Sequence, residues 1–402
     1  MKVKIEKLDH FGQGITKVND KICFVKKALP EEIIELEITK ETKKFQEGKI
    51  TKIYKESPNR CTSICPYYNE CGGCNFLHLS FDEENKYKVQ KVKELLQKYA
   101  GIKEDVIEDI SYTEEYNYRN KIVLHGKDKK VGLYKEKSND IVEINNCKLV
   151  SQKINNLLKI LNEISSQSNI EKITIRTSND ENKVILKLVG KVSNINILKD
   201  NTDVLIVNDT LFSKEDKIIS HIGNKKYYVS VDSFFQVNKT LTKKLYDEVL
   251  NYVKEIKPSK VLDLYCGTGT IGIYISDYAK EIIGIDYSKS GIKDANENKL
   301  LNNINNIDFI CDKVENVIDT FKNDIDLVIV DPPRAGLDTK TISNIKRINA
   351  KNVIYISCDP VTLSRDINSL KDMYEVTIVK PFNMFPKTYH VENVAYLKIK
   401  NI

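Results

Sequence analysis

Short runs of alternating apolar and polar residues fill the first 57 positions, and turns rich in glycine or proline separate them. Alternation with a period of two is typical of strands that bury one face. We therefore predict a small antiparallel β-barrel over residues 1–57. From Tyr227 onward, helical patterns alternate with short β-branched runs. Those runs lie at 261–264, 282–286, 327–331 and 353–357. This alternation predicts a mostly parallel sheet with helices on both faces.

The middle of the chain has a different pattern. A cysteine-rich stretch at 61–78 precedes an amphipathic helical pattern at 82–99. Residues 105–225 have the mixed pattern of an α+β module. The elements predicted within it are strands at 120–125, 172–176 and 183–189 and a helix at 153–164.

These patterns together predict an α/β protein with three domains. The N-terminal domain, residues 1–57, is an OB-like barrel. The central α+β domain, residues 58–225, contains the cysteine-rich stretch. The C-terminal domain, residues 226–402, is a doubly wound, Rossmann-like domain.

Composition limits the class of protein. The chain has 402 residues, of which 41% are hydrophobic and 30% are charged, and its net charge of +6 permits RNA binding without requiring it. No apolar run approaches the roughly 18–20 residues of a membrane span. Residues 1–7 lack the continuous apolar stretch of a signal peptide. We expect a cytoplasmic protein without a membrane partner, in which the nine cysteines are reduced.

A glycine-rich loop follows the first predicted strand of the C-terminal sheet. Gly267 and Gly269 let the backbone turn sharply and approach a ligand, and a helical pattern follows. Asp286 ends the next strand, where its carboxylate would accept ribose hydroxyls. A nucleotide-like ligand is therefore predicted. Because 267–272 also matches G-x-G-x-x-G, an NAD-dependent oxidoreductase is the competing interpretation.

Two further strand ends carry candidate chemistry. Asp-Pro-Pro-Arg stands at 331–334 and Ser-Cys-Asp-Pro at 357–360. The carboxyl ends of neighbouring parallel strands form one crevice, so a single cleft is expected there. Its lining residues would be Asp263, Asp286, Asp331 and Cys358. The thiol indicates a reaction that needs a covalent nucleophile.

Methylation at carbon 5 of uracil is such a reaction. A thiolate that adds to carbon 6 makes carbon 5 nucleophilic, and a base must later remove the proton from carbon 5. Cys358 is the predicted nucleophile. His390 and Glu392 are both available as the base, and we favour Glu392.

Four sequence motifs resemble those of one known family. They are the two motifs at 331–334 and 357–360, Phe-Pro-x-Thr-x-His-Val-Glu ending at 392, and Ser-Phe-Phe-Gln-Val-Asn at 233–238. The chain resembles the RNA (uracil-5-)-methyltransferases, in the 23S ribosomal RNA subgroup that carries an N-terminal TRAM domain and an iron–sulfur cluster. The resemblance covers essentially the whole chain and identifies residues 1–57 as the TRAM barrel.

This resemblance implies particular roles. Cys358 would be the nucleophile and Glu392 the base in methyl transfer from S-adenosylmethionine to a uridine in RNA. S-adenosylmethionine would contact Gln236, Tyr265, Asp286 and Asp331, with Thr270 and Asp312 as further contacts.

The resemblance also implies a 4Fe-4S cluster held by four cysteines. Its ligands would be Cys65, Cys71, Cys74 and Cys147, and four thiolates are the usual set for this cluster. On spacing alone, Cys61, Cys65, Cys71 and Cys74 offer an alternative, a structural zinc site. We expect a structural or RNA-binding role for the cluster and no redox role in methylation.

RNA is the expected partner. The lysine-rich barrel would follow the phosphate backbone, and the target uridine must be single-stranded or flipped out to reach a thiol. Tyr118, Arg119 and Phe234 are further candidates for RNA contact. We expect 23S rRNA as the substrate, with tRNA as the alternative, and a monomeric enzyme.

Overall fold

The computed structural model describes residues 1–322 and 324–400. Its first sheet has the strand order β1-β5-β6-β4-β3-β2. The strands are β1 Lys2–Lys4, β2 Lys7–Leu8, β3 Gly14–Val18, β4 Lys21–Val25, β5 Ile33–Glu41 and β6 Phe45–Lys55. The prediction of purely antiparallel pairing is wrong in one place, because β4 pairs parallel with β6. The alternating apolar residues of these strands point into a small core that includes Ile5, Val25 and Ile34.

Helix α1, Phe81–Ala100, follows the cysteine-rich stretch. Its buried face packs against the C-terminal sheet through Val92 and Leu96, and Gly101 ends it in the left-handed conformation with φ +72°.

The central sheet has the order β13-β12-β11-β10-β7-β8-β9. Its strands are β7 Lys121–Lys127, β8 Lys130–Tyr134, β9 Ile141–Glu143, β10 Asn169–Thr177, β11 Val184–Lys191, β12 Val204–Val207 and β13 Thr210–Leu211. Helix α2, Gln152–Ser165, covers one face, and α3 is Ile195–Asp200. The hairpin of β14, Ile218–Ile222, and β15, Lys225–Val229, leads to the C-terminal part.

The C-terminal sheet has the order β18-β17-β16-β19-β20-β22-β21. Its strands are β16 Lys260–Leu264, β17 Glu281–Asp286, β18 Ile307–Cys311, β19 Leu327–Val330, β20 Asn352–Ser357, β21 Tyr374–Phe382 and β22 Glu392–Ile399. The helices are α4 Leu241–Ile256, α5 Thr270–Ile275, α6 Lys289–Leu301, α7 Val314–Val317, α8 Thr339–Ile348 and α9 Pro360–Leu370. Short 3-10 turns lie at Glu104–Val106, Ser276–Tyr278 and Ile318–Thr320.

The strand order creates the crevice that the sequence predicts. The chain builds outward from β16 to β18 and then crosses back to β19 on the other side of β16. Loops that diverge at such a switch point leave a cleft at the carboxyl ends of the strands. Near-continuous apolar runs, such as Leu327–Val330, are buried on both faces of the sheet. Among the described residues, none of the helices has the length and apolarity needed to cross a lipid bilayer.

Candidate active site

The loop after β16 has an unusual backbone. Tyr265, Gly267 and Gly269 all have positive φ, of +63°, +56° and +73°. A Cβ on Gly269 would lie 2.6 Å from the Phe309 ring, whereas a Cβ on Gly267 would meet nothing within 4 Å. Gly269 is therefore required for packing, while Gly267 leaves an open cradle beside the loop. The left-handed Tyr265, a non-glycine residue, is the kind of strain found at binding sites.

Asp286 closes one side of this cradle from the end of β17. Its Oδ2 accepts a hydrogen bond from the Gly267 amide at 3.0 Å, and its Oδ1 accepts one from the Ser288 amide at 2.8 Å. Asp312 follows the neighbouring strand, and its amide donates to the Asp286 carbonyl at 3.1 Å. The Asp312 side chain is exposed, and its carboxylate accepts from Asn316 Nδ2 at 2.8 Å. The two acids thus lie next to each other at the rim of the cleft.

Asp263 does not line the cleft, so that prediction is wrong. Its side chain is fully buried beneath the loop, where Oδ2 accepts from the Gly272 amide at 3.0 Å. Burial raises the pKa of Asp263 to about 7. Asp263 lies within β16 and faces the first turn of α5. Its carboxylate therefore stabilises the start of the helix that follows the glycine loop.

Gln236 and Thr270 border the cleft from two other elements. Gln236 is buried, and its segment is fixed by Asn120, whose Nδ2 donates to the Gln236 carbonyl at 3.0 Å. Thr270 is the first residue of α5, and its hydroxyl shares a 2.8 Å hydrogen bond with Tyr246. Phe234, two residues before Gln236, is 66% exposed. The central module therefore helps to position a residue of the C-terminal site.

The Asp-Pro-Pro-Arg loop begins at the end of β19, next to β16. The Asp331 amide donates to the Leu264 carbonyl at 3.3 Å, which sets the carboxylate beside the glycine loop. The far end of the loop is held from α9, because Arg365 donates to the carbonyls of Ala335 and Leu337 at 2.8 and 3.1 Å. Two anchors and two prolines make this a stiff loop.

Strand register brings the two predicted catalytic residues together. Antiparallel β20 and β22 pair Ser357 with Asn393. The ladder ends at this pair, and continuing its register by one residue sets Cys358 opposite Glu392. Cys358 is half-buried and Glu392 is buried. The first residue of the last strand thus faces the thiol across the cleft.

The electrostatics of this pair are unusual. Burial raises the pKa of the Glu392 carboxyl, and the neighbouring charge of Asp331 raises it further. Burial raises the pKa of Asp331 as well. Burial, followed by the charges of Glu392 and Asp331, raises the pKa of the Cys358 thiol to about 12, while Arg334 acts in the opposite direction. Shifted groups that face each other in a cleft are typical of catalytic sites.

His390 lies next to this group but differs from it chemically. Arg334 Nη2 donates to His390 Nε2 at 3.3 Å. Burial and the Arg334 charge lower the pKa of His390 to about 3. A base with so low a pKa is a poor proton acceptor near neutral pH, whereas Glu392 is a stronger base than an ordinary carboxylate. These opposite shifts in pKa favour Glu392 over His390 as the base.

The loop of residues 383–391, which leads into Glu392, is fixed by distant parts of the chain. Its carbonyls accept hydrogen bonds from Asn238 (Met384, 3.1 Å), Lys88 (Phe385, 3.1 Å), Tyr118 (Pro386, 3.0 Å) and the Asn75 amide (Lys387, 2.8 Å). Lys88 is fully buried and pairs with buried Glu84 at 2.8 Å. Breaking a buried pair of this kind is strongly destabilising. The position of Glu392 therefore depends on α1 and on the cysteine-rich stretch.

The four cysteines implied as cluster ligands line one cavity of about 300 Å³. They are Cys65, Cys71, Cys74 and Cys147. Leu77 and Leu133 give the cavity apolar walls. Cys61 is exposed and does not line the cavity. Over residues 1–322 and 324–400, no group of three His, Cys, Asp or Glu side chains is arranged to hold a metal ion.

Tyr118 and Arg119, which the sequence predicts to contact RNA, make contacts within the protein. Tyr118 is completely buried and donates to the Pro386 carbonyl, so it cannot stack on a base. Arg119 lines the cysteine cavity, and its Nε donates to the Lys121 carbonyl at 2.9 Å. The local pattern of an aromatic beside cations did not reveal that Tyr118 points inward, whereas Arg119 is half-buried and its contact with RNA stays a prediction.

Comparison with known families identifies the chain. Residues 176–400 match the family model described as tRNA (Uracil-5-)-methyltransferase, and residues 1–51 match the TRAM domain model. The chain belongs to the tRNA (uracil-5-)-methyltransferase family. It is therefore an RNA methyltransferase of the uracil-5 type with an N-terminal TRAM domain. The predicted uracil-5-methyltransferase family, TRAM domain and enzyme class are confirmed, while the 23S rRNA subgroup stays a prediction.

Relatives of this methyltransferase span nearly its whole length. An uncharacterized RNA methyltransferase of Clostridium tetani is 33% identical, and the match covers 96% of this chain and 93% of the relative. An uncharacterized RNA methyltransferase of Staphylococcus aureus MSSA476 is 34% identical, and the match covers 98% of this chain and 96% of the relative. The crystal structure of Pyrococcus abyssi tRNA (uracil-54, C5)-methyltransferase with S-adenosyl-L-homocysteine has a TM-score of 0.83 at 25% identity and covers 99% of both chains. The predicted fold class is confirmed.

Proposed function

We propose that the protein transfers a methyl group from S-adenosylmethionine to carbon 5 of a uridine in RNA, with Cys358 as covalent nucleophile and Glu392 as base. The observation that carries the proposal is the β20–β22 register, which sets the thiol opposite a buried carboxyl. The glycine loop lies at the same edge of the sheet. Methyl donor, nucleophile and base would then meet in one cleft.

The cleft suits S-adenosylmethionine, whose sulfonium supplies an electrophilic methyl group. Gly267 leaves the open cradle that a ligand needs, and Asp286 is placed to accept ribose hydroxyls through its remaining lone pairs. Gln236, Tyr265 and Asp331 would complete the contacts. Thr270 and Asp312 border the same space from the start of α5 and the end of β18.

The residues of the chain account for the remaining steps. The Cys358 thiolate bonds to carbon 6 of uracil, and the electron pair of the 5,6 double bond moves onto carbon 5 and O4. Carbon 5 would then take the methyl group of S-adenosylmethionine, whose sulfur would keep the electron pair of the broken bond and leave as S-adenosylhomocysteine. The Glu392 carboxylate removes the proton from carbon 5, and the released pair re-forms the double bond and expels the Cys358 thiolate. The raised pKa of Glu392 makes it a better acceptor for that proton.

Trapping with 5-fluorouridine tests the proposal. Fluorine cannot leave as a proton, so RNA transcripts that carry 5-fluorouridine should form a complex with the wild-type protein that survives denaturing gel electrophoresis. Cys358→Ser should form no such complex and should lose methyl transfer. If the serine variant turns over at the wild-type rate, the covalent mechanism is wrong.

For the RNA class, we propose 23S rRNA. The cysteine pattern together with a TRAM domain supports this choice, because the chain shares both with the rRNA-modifying subgroup it resembles. A tRNA substrate is the second candidate, favoured by the match to the Pyrococcus enzyme, which acts on tRNA. Measuring 5-methyluridine in 23S rRNA and in tRNA from a deletion strain separates them, since only the true substrate should lose the modification.

We also propose that the four cysteines around the cavity hold a 4Fe-4S cluster. A cluster with four irons is much larger than a single ion, so its ligands surround a space rather than a point, and the cavity lined by four cysteines and apolar residues fits such a group. Those residues would bind the cluster and shield it from water. Because the Asn75 and Phe76 amides, next to Cys74, both donate to the Lys387 carbonyl, its role would be structural support of the catalytic loop.

The proposed domain division remains 1–57, 58–225 and 226–402, and the first and third segments contain separate sheets. We further propose that the enzyme works as a monomer in the cytoplasm. Size-exclusion chromatography with light scattering would test the monomer, since a dimeric mass would contradict it.

A further inference from the structure

The turn between β2 and β3 holds an aromatic ring out into solvent. Phe11 is 59% exposed, although it lies in a turn that is bonded to itself. Asp9 Oδ1 accepts from the amides of Phe11 and Gln13 at 2.9 and 2.7 Å, and Gly12 takes φ +77°. Tyr87 on α1 also donates to the Asp9 carbonyl at 2.7 Å. The backbone that carries Phe11 is therefore fixed before any ligand binds.

Single exposed apolar side chains are common, so exposure alone does not define a site. Phe11 differs because it begins a row of side chains that ends at the nucleophile. Its ring lies edge-on to Tyr389, with centroids 5.5 Å apart, and Tyr389 lies 4.2 Å from the His390 ring. His390 contacts Arg334, whose charge acts on Cys358. A side chain of the TRAM domain is thus linked through this row to the motifs at 331–334 and 385–392.

A cation accompanies the two aromatic rings. Lys91 on α1 donates to the Tyr389 carbonyl at 3.1 Å, and its Nζ lies 5.2 Å from the centre of the Tyr389 ring. Lys91 is buried, so it holds Tyr389 in place and leaves Phe11 as the exposed ring on which a base of single-stranded nucleic acid can stack.

We propose that Phe11, supported edge-on by Tyr389, forms a stacking surface for the base next to the target uridine. This inference rests on the proposed uridine methylation. When the target leaves its stack to reach Cys358, the neighbouring base loses a stacking partner. The ring of Phe11 replaces that partner and favours the flipped-out arrangement.

Substitution of Phe11 tests the proposal. The probe is whichever 5-fluorouridine transcript, of 23S rRNA or of tRNA, the wild-type protein traps, together with its unsubstituted form. Phe11→Ala should raise KM for the unsubstituted RNA by about tenfold, in line with base–aromatic stacking of about 1–3 kcal/mol. The Kd for S-adenosylmethionine should not change. Phe11→Tyr keeps a ring and should restore KM to near the wild-type value.

The matched control is Tyr278→Ala. Tyr278 is also an exposed aromatic residue, 44% accessible, but it precedes β17 and so lies at the edge of the sheet opposite the cleft. This variant should keep the wild-type KM.

Stacking itself can be observed with 2-aminopurine placed next to the target uridine. Wild-type protein should quench its fluorescence on binding, and Phe11→Ala should quench it less. The proposal would be overturned if Phe11→Ala had the wild-type KM and the wild-type quenching. It would also be overturned if Phe11→Ala and Phe11→Tyr raised KM by the same factor. Failure of the wild-type protein to trap either transcript would instead overturn the proposed function.

Discussion

Cys358 and Glu392 face each other because the register of β20 and β22 pairs the residues next to them, Ser357 and Asn393. They are 34 positions apart in the sequence. Glu392 begins β22, Cys358 directly follows β20, and the hydrogen-bond ladder of these two strands ends at the residues beside them. Such a ladder holds a nucleophile and a base more rigidly than a loop would.

Replacing the base should separate two steps of the reaction. In Glu392→Gln, Cys358 can still attack, but the proton on carbon 5 has no acceptor. A covalent complex with ordinary, unfluorinated RNA should therefore accumulate when S-adenosylmethionine is present, and product release should fall at least about a hundredfold. Denaturing gel electrophoresis measures the complex. Full turnover without an accumulated complex would show that another group is the base.

The same variant should make the Cys358 thiol more reactive. Glu392 contributes to the raised pKa of Cys358, so removal of its charge should lower that pKa and increase the thiolate fraction at pH 8. Alkylation by iodoacetamide, followed by mass spectrometry of each cysteine, measures the rate. The exposed Cys61 and Cys311 serve as internal controls and should react equally in both proteins. Slower alkylation of Cys358 in the variant would contradict the electrostatic account.

Stability should also depend on this carboxyl. Folding raises the pKa of Glu392, so ionisation opposes folding, and its contribution to stability falls as pH rises from the unfolded value of about 4.3 to the raised folded value. Glu392→Gln should have a higher Tm than wild type at pH 8, by about 2–4 °C for each kcal/mol recovered, and a smaller advantage at pH 5, where less of the penalty has developed. Scanning calorimetry at both pH values provides the measurement. An equal difference at the two pH values would indicate a packing effect instead.

The glycine cradle can be tested with a pair of matched substitutions. Gly267 and Gly101 both have positive φ, of +56° and +72°, and both have open space where a Cβ would lie. Gly267→Ala and Gly101→Ala should therefore lose a similar amount of stability, about 1 kcal/mol. Isothermal titration should show weaker S-adenosylmethionine binding in the Gly267 variant alone. Equal binding by the two variants would mean that the cradle does not hold the ligand.

The cysteine site allows a similar comparison. Cys147→Ser removes a residue that lines the cavity, whereas Cys61→Ser changes an exposed residue that does not. After anaerobic purification, the Cys61 variant should keep wild-type iron and sulfide, and the Cys147 variant should lose most of both. If the wild-type protein contained zinc, and if the Cys61 variant lost it while the Cys147 variant kept it, the alternative zinc site that includes Cys61 would be supported.

Local sequence patterns were sufficient to predict helices and strands that have a clear hydrophobic periodicity. The predicted helix at 82–99 is observed as Phe81–Ala100, and the run at 353–357 is observed as Asn352–Ser357. Both have a periodic or continuous apolar pattern that burial requires. Tyr118 and Asp263 were misplaced because exposure is not a local property. Tyr118 is covered by residue 386, and Asp263 is covered by the first turn of α5.

The sequence alone determined the order of elements, the glycine loop, the motifs around Cys358 and Glu392, and the family, because each is encoded by neighbouring residues. Only the tertiary structure decided that Glu392 faces the thiol, that Cys147 joins the cavity while Cys61 does not, and that Phe11 packs against Tyr389. Those relationships come from strand register and from the packing of α1 against the loop of residues 383–391. They join residues far apart along the chain, and short-range propensity carries no information about such contacts.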